Sequence, residues 1–252
     1  MIAIFPTSAH FAWFTWSIIL LIIWGIVRLR IRSREIRRDM LVVSICTSLL
    51  GFTEPLFVPA YWDPPSLFDL AWKTGFDLES FIFSFAIGGI GYALYMAVFP
   101  VGHEPAMPRD ERIDARHKYH LPLLLSTPLI FVILLIAAHL NPIYDAIISM
   151  GLGGLATWYC RPDLVKKMLV SAGLFLCVYT VYFFTLIALF PGYVERVWNL
   201  PAISGILVAG IPVEELLFAL AFGFYWSTVY EHFTWKKVPD TSAFGQEQIA
   251  EI

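Results

Sequence analysis

Four glutamates stand within apolar stretches, where a carboxyl group is energetically expensive: Glu54, Glu79 and the adjacent pair Glu214 and Glu215. Acidic residues at membrane depth usually face a bundle interior or a water-filled cavity, and they are often functional. Burial and like charge together keep a proton available on an adjacent pair. We therefore predict Glu214 and Glu215 as proton donor and acceptor near the middle of a span that Pro212 kinks, with Glu79 and Glu54 completing the catalytic set. Protonated carboxyls that hydrogen-bond between helices remain the structural alternative.

Aromatic side chains accompany these acids along the same stretches. Most of them are expected to serve helix packing and lipid contact, but a π-lined tunnel would also stabilise a carbocation. The residues that we predict to contact a substrate are Trp62, Phe81, Phe83, Tyr92, Phe218, Phe222 and Trp226.

The elements that must position these residues follow from composition. Of the 252 residues, 58% are hydrophobic and 15% are charged, and the mean hydropathy is +0.70. A soluble domain carries roughly 25% charged residues, so a soluble protein is excluded. We predict an all-α integral membrane protein with seven transmembrane helices, each apolar stretch being long enough to cross a bilayer. The stretches are 11–29, 40–60, 79–99, 121–139, 143–160, 168–190 and 202–229.

The basic residues predict the orientation of these spans. Of 17 Lys and Arg residues, all but Lys73 and Arg196 fall on one side, in the loops after spans one, three and five and in the tail. The positive-inside rule then puts the N-terminus outside and the C-terminus in the cytoplasm, and we expect a prokaryotic cell membrane. The net charge of −3 gives no reason to expect a nucleic-acid partner.

An internal repeat relates the third span to the seventh. Shifting the chain by 135 residues places Glu79 on Glu214 and Gly88 on Gly223, and the outer-loop residue Trp62 meets Trp198 with one residue of slip. Both spans run in the same direction, so we predict two parallel three-helix repeats joined by a linking helix. The predicted segments are a first repeat at 1–100, an inner loop and linking span at 101–140, a second repeat at 141–235 and a cytoplasmic tail at 236–252.

Several motifs resemble one known family. They are Glu54-Pro55-Leu56-Phe57-Val58, Tyr61-Trp62-Asp63-Pro64-Pro65, Asp77-x-Glu79 with Gly88-Gly89, and Pro212-x-Glu214-Glu215. The chain resembles the membrane lycopene cyclase domain family of carotenoid biosynthesis, in the fused form of its heterodimeric type. The resemblance implies an isomerase-type enzyme that converts the linear ends of lycopene into rings by acid-initiated, redox-neutral cyclisation. β-Ionone rings, giving γ- and β-carotene, are the expected products.

We expect no cofactor and no metal, because the sequence has neither a phosphate-binding glycine loop nor a ligand cluster. The three cysteines are interpreted as small core residues, and His117 and His120 as part of the charged inner loop. The expected partners are lycopene and the lipid bilayer. A homo-oligomer, or association with other carotenoid enzymes, is left open.

Rival functions differ in the residues they need. A retinal-binding protein needs a lysine in its last span, and an intramembrane protease of the Glu-Glu-x-x-x-Arg type would need arginine where Ala219 stands. A prenyltransferase needs two Asp-rich magnesium motifs, and Asp110-x-x-x-Asp114 is a single weak one. An intramembrane prenyltransferase or other isoprenoid-handling enzyme, and a non-catalytic carotenoid-binding protein, remain as alternatives.

Overall fold

The computed structural model of the chain describes residues 10–99, 101–108, 111–113 and 115–239, and it is mostly helical (76%). Long apolar segments form helices because a helix satisfies its backbone hydrogen bonds internally. The helices are α1 Ala12–Arg30, α2 Arg34–Ser48, α3 Glu54–Phe57, α4 Leu70–Thr74, α5 Leu78–Val98, α6 His120–Leu124, α7 Ser126–Ala137, α8 Pro142–Cys160, α9 Val165–Leu189, α10 Val194–Val197, α11 Val213–Trp226 and α12 Val229–Thr234. Short 3₁₀ turns cover Leu49–Thr53, Leu67–Asp69, Glu111–Ile113, Ala115–Tyr119, Pro162–Leu164 and Leu200–Ala202.

Four helices among the described residues are long and apolar enough to cross a membrane. They are α1, α2 extended through α3, α5, and α9 with the 3₁₀ turn before it. A bent pair, α6 and α7, makes a fifth if it counts as one span, with a bend of 46°. Pro128 explains the bend, because its ring nitrogen cannot donate to the carbonyl four residues earlier. Helices α8 and α11 do not meet this criterion of length and apolarity. The prediction of seven membrane-spanning helices is therefore only partly supported.

Residues 202–212 correct the predicted seventh span, because they are not helical beyond Ala202. Strand β1, Leu207–Val208, pairs antiparallel with strand β2, Ile211–Pro212. Ala209 and Gly210 form the turn between them with φ values of 52° and 85°, which a right-handed helix cannot accommodate. Helix α11 begins only at Val213. The adjacent glutamates thus lie in its first turn and not in the middle of a span, and Pro212 precedes the helix and does not kink it.

The two halves of the chain share a packing pattern. Helix α5 packs against α1 and α2, and α11 packs against α8 and α9, while α9 also contacts α5 and α1. Glycines allow the close approach in both halves. A Cβ at Gly88 would clash with Oγ1 of Thr47 on α2, and one at Gly223 would lie 2.8 Å from Cβ of Phe175 on α9. These glycines are the pair that the 135-residue shift aligns.

The loops collect at two ends of the bundle. At one end, which we call the glutamate end, Asp63 N donates to Val197 O and Asn199 N donates to Tyr61 O, both at 2.9 Å. These bonds pair Trp62 with Trp198 in an antiparallel bridge. At the other end, the basic end, Arg161 donates to the Lys236 carbonyl at 2.8 Å. A two-fold axis between the two halves would bring equivalent residues into contact, as the bridge does for Trp62 and Trp198.

Large apolar side chains cover the outside of the bundle. Exposed examples are Ile22, Ile26, Phe52, Leu129, Ile133, Ile136, Leu152, Leu155, Val181, Phe184, Leu217 and Leu220. A soluble monomer rarely exposes contiguous apolar surface of this extent. The surface is compatible with a membrane protein.

Candidate active site

Two glutamates occupy matched positions at the glutamate end. Glu79 is the second residue of α5, and Glu214 is the second residue of α11. In each case Oε1 accepts a hydrogen bond from a backbone N–H of the preceding loop, from Leu67 at 2.7 Å and from Ser204 at 2.9 Å. In each case Oε2 is buried without a hydrogen-bond partner. We call Glu79 and Glu214 the matched glutamates.

The surroundings of the matched glutamates differ between the two halves. The hydroxyl of Tyr144, in the first turn of α8, donates to Glu214 Oε1 at 2.7 Å. Beside Glu79, Asp77 caps α5 by accepting from Ser80 N at 2.5 Å. The two sites are thus related in geometry but not in chemistry, because only Glu214 is held by a phenol.

Glu215 lies at the centre of a buried hydrogen-bond network, which we call the Glu215 network. Its Oε1 accepts from the Tyr61 hydroxyl at 2.6 Å and from Trp198 Nε1 at 2.9 Å. Its Oε2 accepts from the Tyr179 hydroxyl at 2.6 Å. All four residues are buried. Three donors and no acceptor suit the ionised carboxylate, and they leave neither oxygen free for a substrate.

Ser80 stands in the first half where Glu215 stands in the second, and Glu54 supplies the missing carboxyl group. The side chains of Ser80 and Trp62 face Glu54, just as Trp198 faces Glu215. Glu54 is buried, and its Oε1 has no hydrogen-bond partner. Asp77 and Glu79 are close enough for their charges to act on it. The structure thus brings Glu54 and Glu79 together, and it places Glu214 beside Glu215.

A tryptophan cluster, formed by Trp13, Trp16, Trp62 and Trp198, lies between Glu54 and Glu215. The ring centroids of Trp62 are 4.6 Å from Trp13 and 5.3 Å from Trp198. Trp16 stacks on Tyr182 at 4.3 Å. Of the predicted substrate contacts, Trp62 belongs to this cluster, and Phe83 packs against it with its ring centroid 5.5 Å from that of Trp13. The cluster places electron-rich rings beside the carboxyl groups, as cation–π stabilisation requires.

Three more predicted contacts form a stacked ladder on α11. Phe218, Phe222 and Trp226 follow at intervals of four residues, with centroids 5.6 Å and 5.4 Å apart. The ladder begins beside the Glu215 network, because Phe218 lies 6.1 Å from Tyr179. It continues against α5, where a Cβ at Gly91 would lie 2.7 Å from the Phe222 ring. These residues share one face of the helix and lead away from the glutamates.

Phe81 and Tyr92 lie elsewhere. Phe81 packs on Phe52 at 4.8 Å, next to α2 and its 3₁₀ continuation. Tyr92 lies 13 positions after Glu79 on α5, which is about 20 Å along the helix. Its ring lies 4.9 Å from the Lys167 ammonium, and its hydroxyl lies 3.5 Å from His103 Nε2, at the basic end.

Sequence reasoning missed most of the donors that hold the glutamates. Tyr61 belongs to one of the quoted motifs, Trp198 to the internal repeat, and Tyr179 is a polar group in an apolar helix. No spacing in the sequence connects any of them with Glu215. Asp145 is a further acid, near the start of the predicted span 143–160. It is fully buried on α8, and neither of its oxygens has a hydrogen-bond partner.

A second charged cluster holds the basic end together. Glu231 accepts from Lys167 at 2.6 Å and lies 3.0 Å from His103 Nε2. Burial alone would raise the pKa of Glu231, but Lys167 and His103 outweigh it and hold that pKa below its usual value. Lys236 pairs with Asp39 at 2.8 Å. Lys167 was expected in a loop outside the spans, yet it is buried near the start of α9.

Residues 141–233 match the family model for lycopene cyclase. This part of the chain is therefore similar to the lycopene cyclase family. The match covers a little over a third of the chain and includes Glu214 and Glu215, whereas the motifs at 54–90 lie outside it. No match was found among curated proteins or among solved structures.

The similarity to the lycopene cyclase family supports a carotenoid cyclase function with a carotenoid substrate.

The magnesium motif of the rival prenyltransferase function cannot be located in the fold, because Asp110 and Asp114 lie outside the described residues. The tail beyond residue 239 also lies outside them. Helix α11 contains no lysine, so the last long helix offers no Schiff-base site for retinal.

Proposed function

We propose that this protein cyclises the linear ends of lycopene inside the membrane, forming β-ionone rings and thus γ- and β-carotene without net redox change. The observation that carries the proposal is the pair of matched glutamates. Glu79 and Glu214 are each held by a loop N–H through one oxygen, and each keeps the other oxygen buried and unpartnered. A carboxyl oxygen in this state is suited to donate a proton to an apolar substrate, because no other group competes for it.

The proposed reaction is an isomerisation that balances without a co-reactant. A glutamic acid donates its proton to the terminal double bond, which creates a tertiary carbocation. The internal double bond attacks this cation, so that a carbon–carbon bond closes the ring and the positive charge moves to a ring carbon. A second carboxylate of the glutamate cluster (Glu54, Glu79, Glu214 and Glu215), one that keeps an oxygen free of donors, then removes a ring proton, and a new ring double bond forms.

The other residues of the cluster suit electrostatic roles. Glu215, with both oxygens occupied by donors, would hold a fixed negative charge near the developing cation. The tryptophan cluster would add cation–π stabilisation, and its buried rings would exclude water that could capture the cation. We therefore propose Glu214 as the first catalytic acid, Glu79 as its counterpart and Glu54 and Glu215 as supporting carboxylates.

We further propose seven membrane crossings in two parallel three-helix units, with α6 and α7 as the linking span and the basic end in the cytoplasm. Three features support this arrangement: the bridge between Trp62 and Trp198, the paired glycines Gly88 and Gly223, and the matched glutamates. The excess of Lys and Arg at the basic end supports the orientation.

Expression in lycopene-accumulating cells tests the function. We expect lycopene to be replaced by γ- and β-carotene, with the ring type identified by chromatography against standards. Glu214→Gln should abolish the conversion, whereas Glu195→Gln, at an exposed position of the same end, should not. Unchanged lycopene beside well-expressed protein would favour a carotenoid-binding role. A pigment change that requires added diphosphate substrate and magnesium would favour a prenyltransferase.

A further inference from the structure

Three side chains that ligate transition metals meet at the basic end, outside the proposed catalytic site. Cys160 is the last residue of α8, His120 is the first residue of α6, and His117 lies in the 3₁₀ turn before α6. The Cys160 Sγ lies 3.3 Å from His120 Nδ1 and 3.6 Å from His117 Nδ1. One ligand atom from each residue lies within 4.8 Å of the others.

These separations match the edges of a tetrahedral zinc site. Zinc binds thiolate sulfur at about 2.3 Å and imidazole nitrogen at about 2.0–2.1 Å, so the tetrahedral angle places the sulfur about 3.5–3.6 Å from each nitrogen. The two observed distances bracket this value. We propose that His117, His120 and Cys160 bind one Zn²⁺ ion, a site separate from the cyclisation chemistry.

The alternative is a hydrogen-bonded thiol, in which the S–H donates to one ring nitrogen and the sulfur accepts from the N–H of the other ring. Sulfur is a weak donor and a weak acceptor, so both of these contacts would be weak. A metal ion satisfies both nitrogens and the sulfur at once. Binding converts the thiol to a thiolate, and the released proton goes to water.

The surroundings orient the proposed ligands. The Trp235 ring stacks on His120 at 3.7 Å and fixes its plane, and the backbone carbonyl of His232 faces the same imidazole. Metal-binding histidines are typically oriented by such a second contact. His232 is itself held by Thr157, 3.2 Å away and one turn before Cys160 on α8. The last turn of α8 thus carries the ligand Cys160. Through Thr157 it also holds His232, whose backbone carbonyl faces the ligand His120.

A cavity gives the site access and room for a fourth ligand. Its volume is about 310 Å³, and both His117 and Cys160 line it. The two nearby carboxylates in its lining are already engaged, Asp163 by Arg161 and Glu111 by Lys237. Water is therefore the fourth ligand that we assign, and borderline-soft zinc is the divalent ion best suited to two imidazoles and one thiolate.

The site would connect the linking helix to the second half of the chain. Cys160 lies 16 positions after Tyr144 on α8, about 24 Å along the helix from the Tyr144–Glu214 contact. A metal there cannot touch the reacting end group of a substrate bound at the matched glutamates. Its role would be to fasten the turn 115–119 and α6 to the end of α8.

Metal content and cobalt spectra of the full-length protein test the proposal, using an affinity tag that contains no histidine. We expect one zinc per chain after excess zinc is removed. Replacement by Co²⁺ should give the near-ultraviolet charge-transfer band of a cobalt–thiolate bond. Cys160→Ser should lose that band, and His120→Asn should lose bound zinc. The matched controls Cys177→Ser and His139→Asn, far from the cluster, should behave as wild type.

Two results would overturn the proposal. One is wild-type protein that retains no more zinc than Cys160→Ser. The other is a cobalt spectrum of the wild type without a thiolate band, which needs no variant to fold. Neither result bears on cyclase activity, so the failure of this site and the failure of the proposed function remain distinguishable.

Discussion

Replacing Glu215 by glutamine should lower the stability of the folded protein, whereas the same change at Glu214 should not. Glu215 accepts three hydrogen bonds through its two oxygens. Glutamine keeps one oxygen and replaces the other by an NH₂ group that can only donate. At least one of the donors Tyr61, Tyr179 and Trp198 then loses its acceptor, and the other bonds lose their charge assistance.

The magnitude follows from these contacts. A hydrogen bond to a charged group contributes about 1.5–3 kcal/mol, and a stranded buried donor costs about 1–3 kcal/mol. We therefore expect Glu215→Gln to lower the free energy of unfolding by about 3 kcal/mol. For a chain of this size, such a loss lowers Tm by roughly 6–12 °C. At Glu214 the glutamine oxygen can still accept from Tyr144 and Ser204, and its NH₂ replaces an oxygen that has no partner.

Thermal unfolding of the two purified variants in the same detergent measures this contrast. Both variants should fail to cyclise lycopene, but only Glu215→Gln should lose stability. Tyr179→Phe provides a check, because it removes one donor from the network and should lower Tm by less than Glu215→Gln does. Equal Tm values for the two glutamine variants would refute the network that we describe around Glu215.

Three further predictions follow from other parts of the structure. Lys167→Met should destabilise the protein by about 3 kcal/mol, because it leaves Glu231 buried without its lysine. Adding Glu231→Leu should restore most of that stability. Denaturation of the single and the double variant measures the loss and the recovery. Gly223→Ala should cost about 1–3 kcal/mol, since its Cβ would lie 2.8 Å from Cβ of Phe175, whereas Gly173→Ala meets nothing within 4 Å and should not destabilise. Cyclisation should need no flavin, nicotinamide or metal, so chelation should leave the rate of the folded enzyme unchanged; a rate restored only by added metal would contradict this.

Helices α1, α5 and α9 could be predicted from the sequence because they depend on local apolar pattern, and the pairing of the matched glutamates because the internal repeat carries it. Apolar length alone located α1, α5 and α9 to within a few residues. The 135-residue shift aligned Glu79 with Glu214 and Gly88 with Gly223, and each pair has a matched contact in the structure.

The rest depends on contacts between distant residues, which composition does not encode. Residues 203–212 are apolar enough to read as helix, but the backbone at Gly205, Ala209 and Gly210 has positive φ. The donors to Glu215 come from positions 61, 179 and 198. The proposed metal ligand Cys160 lies 40 positions after His120 and 43 after His117. The sequence prediction places Tyr92 with the glutamates because it shares α5 with Glu79, whereas the length of the helix puts it at the basic end.

The most direct test of the central claim is the conversion of lycopene by folded Glu214→Gln protein. Glutamine preserves the size of the side chain and its bonds to Tyr144 and Ser204, and it removes only the acid. The account predicts that lycopene remains unconverted although Tm and expression stay near those of the wild type. Conversion near the wild-type rate in that protein would contradict it, because Glu214 would then not be the catalytic acid.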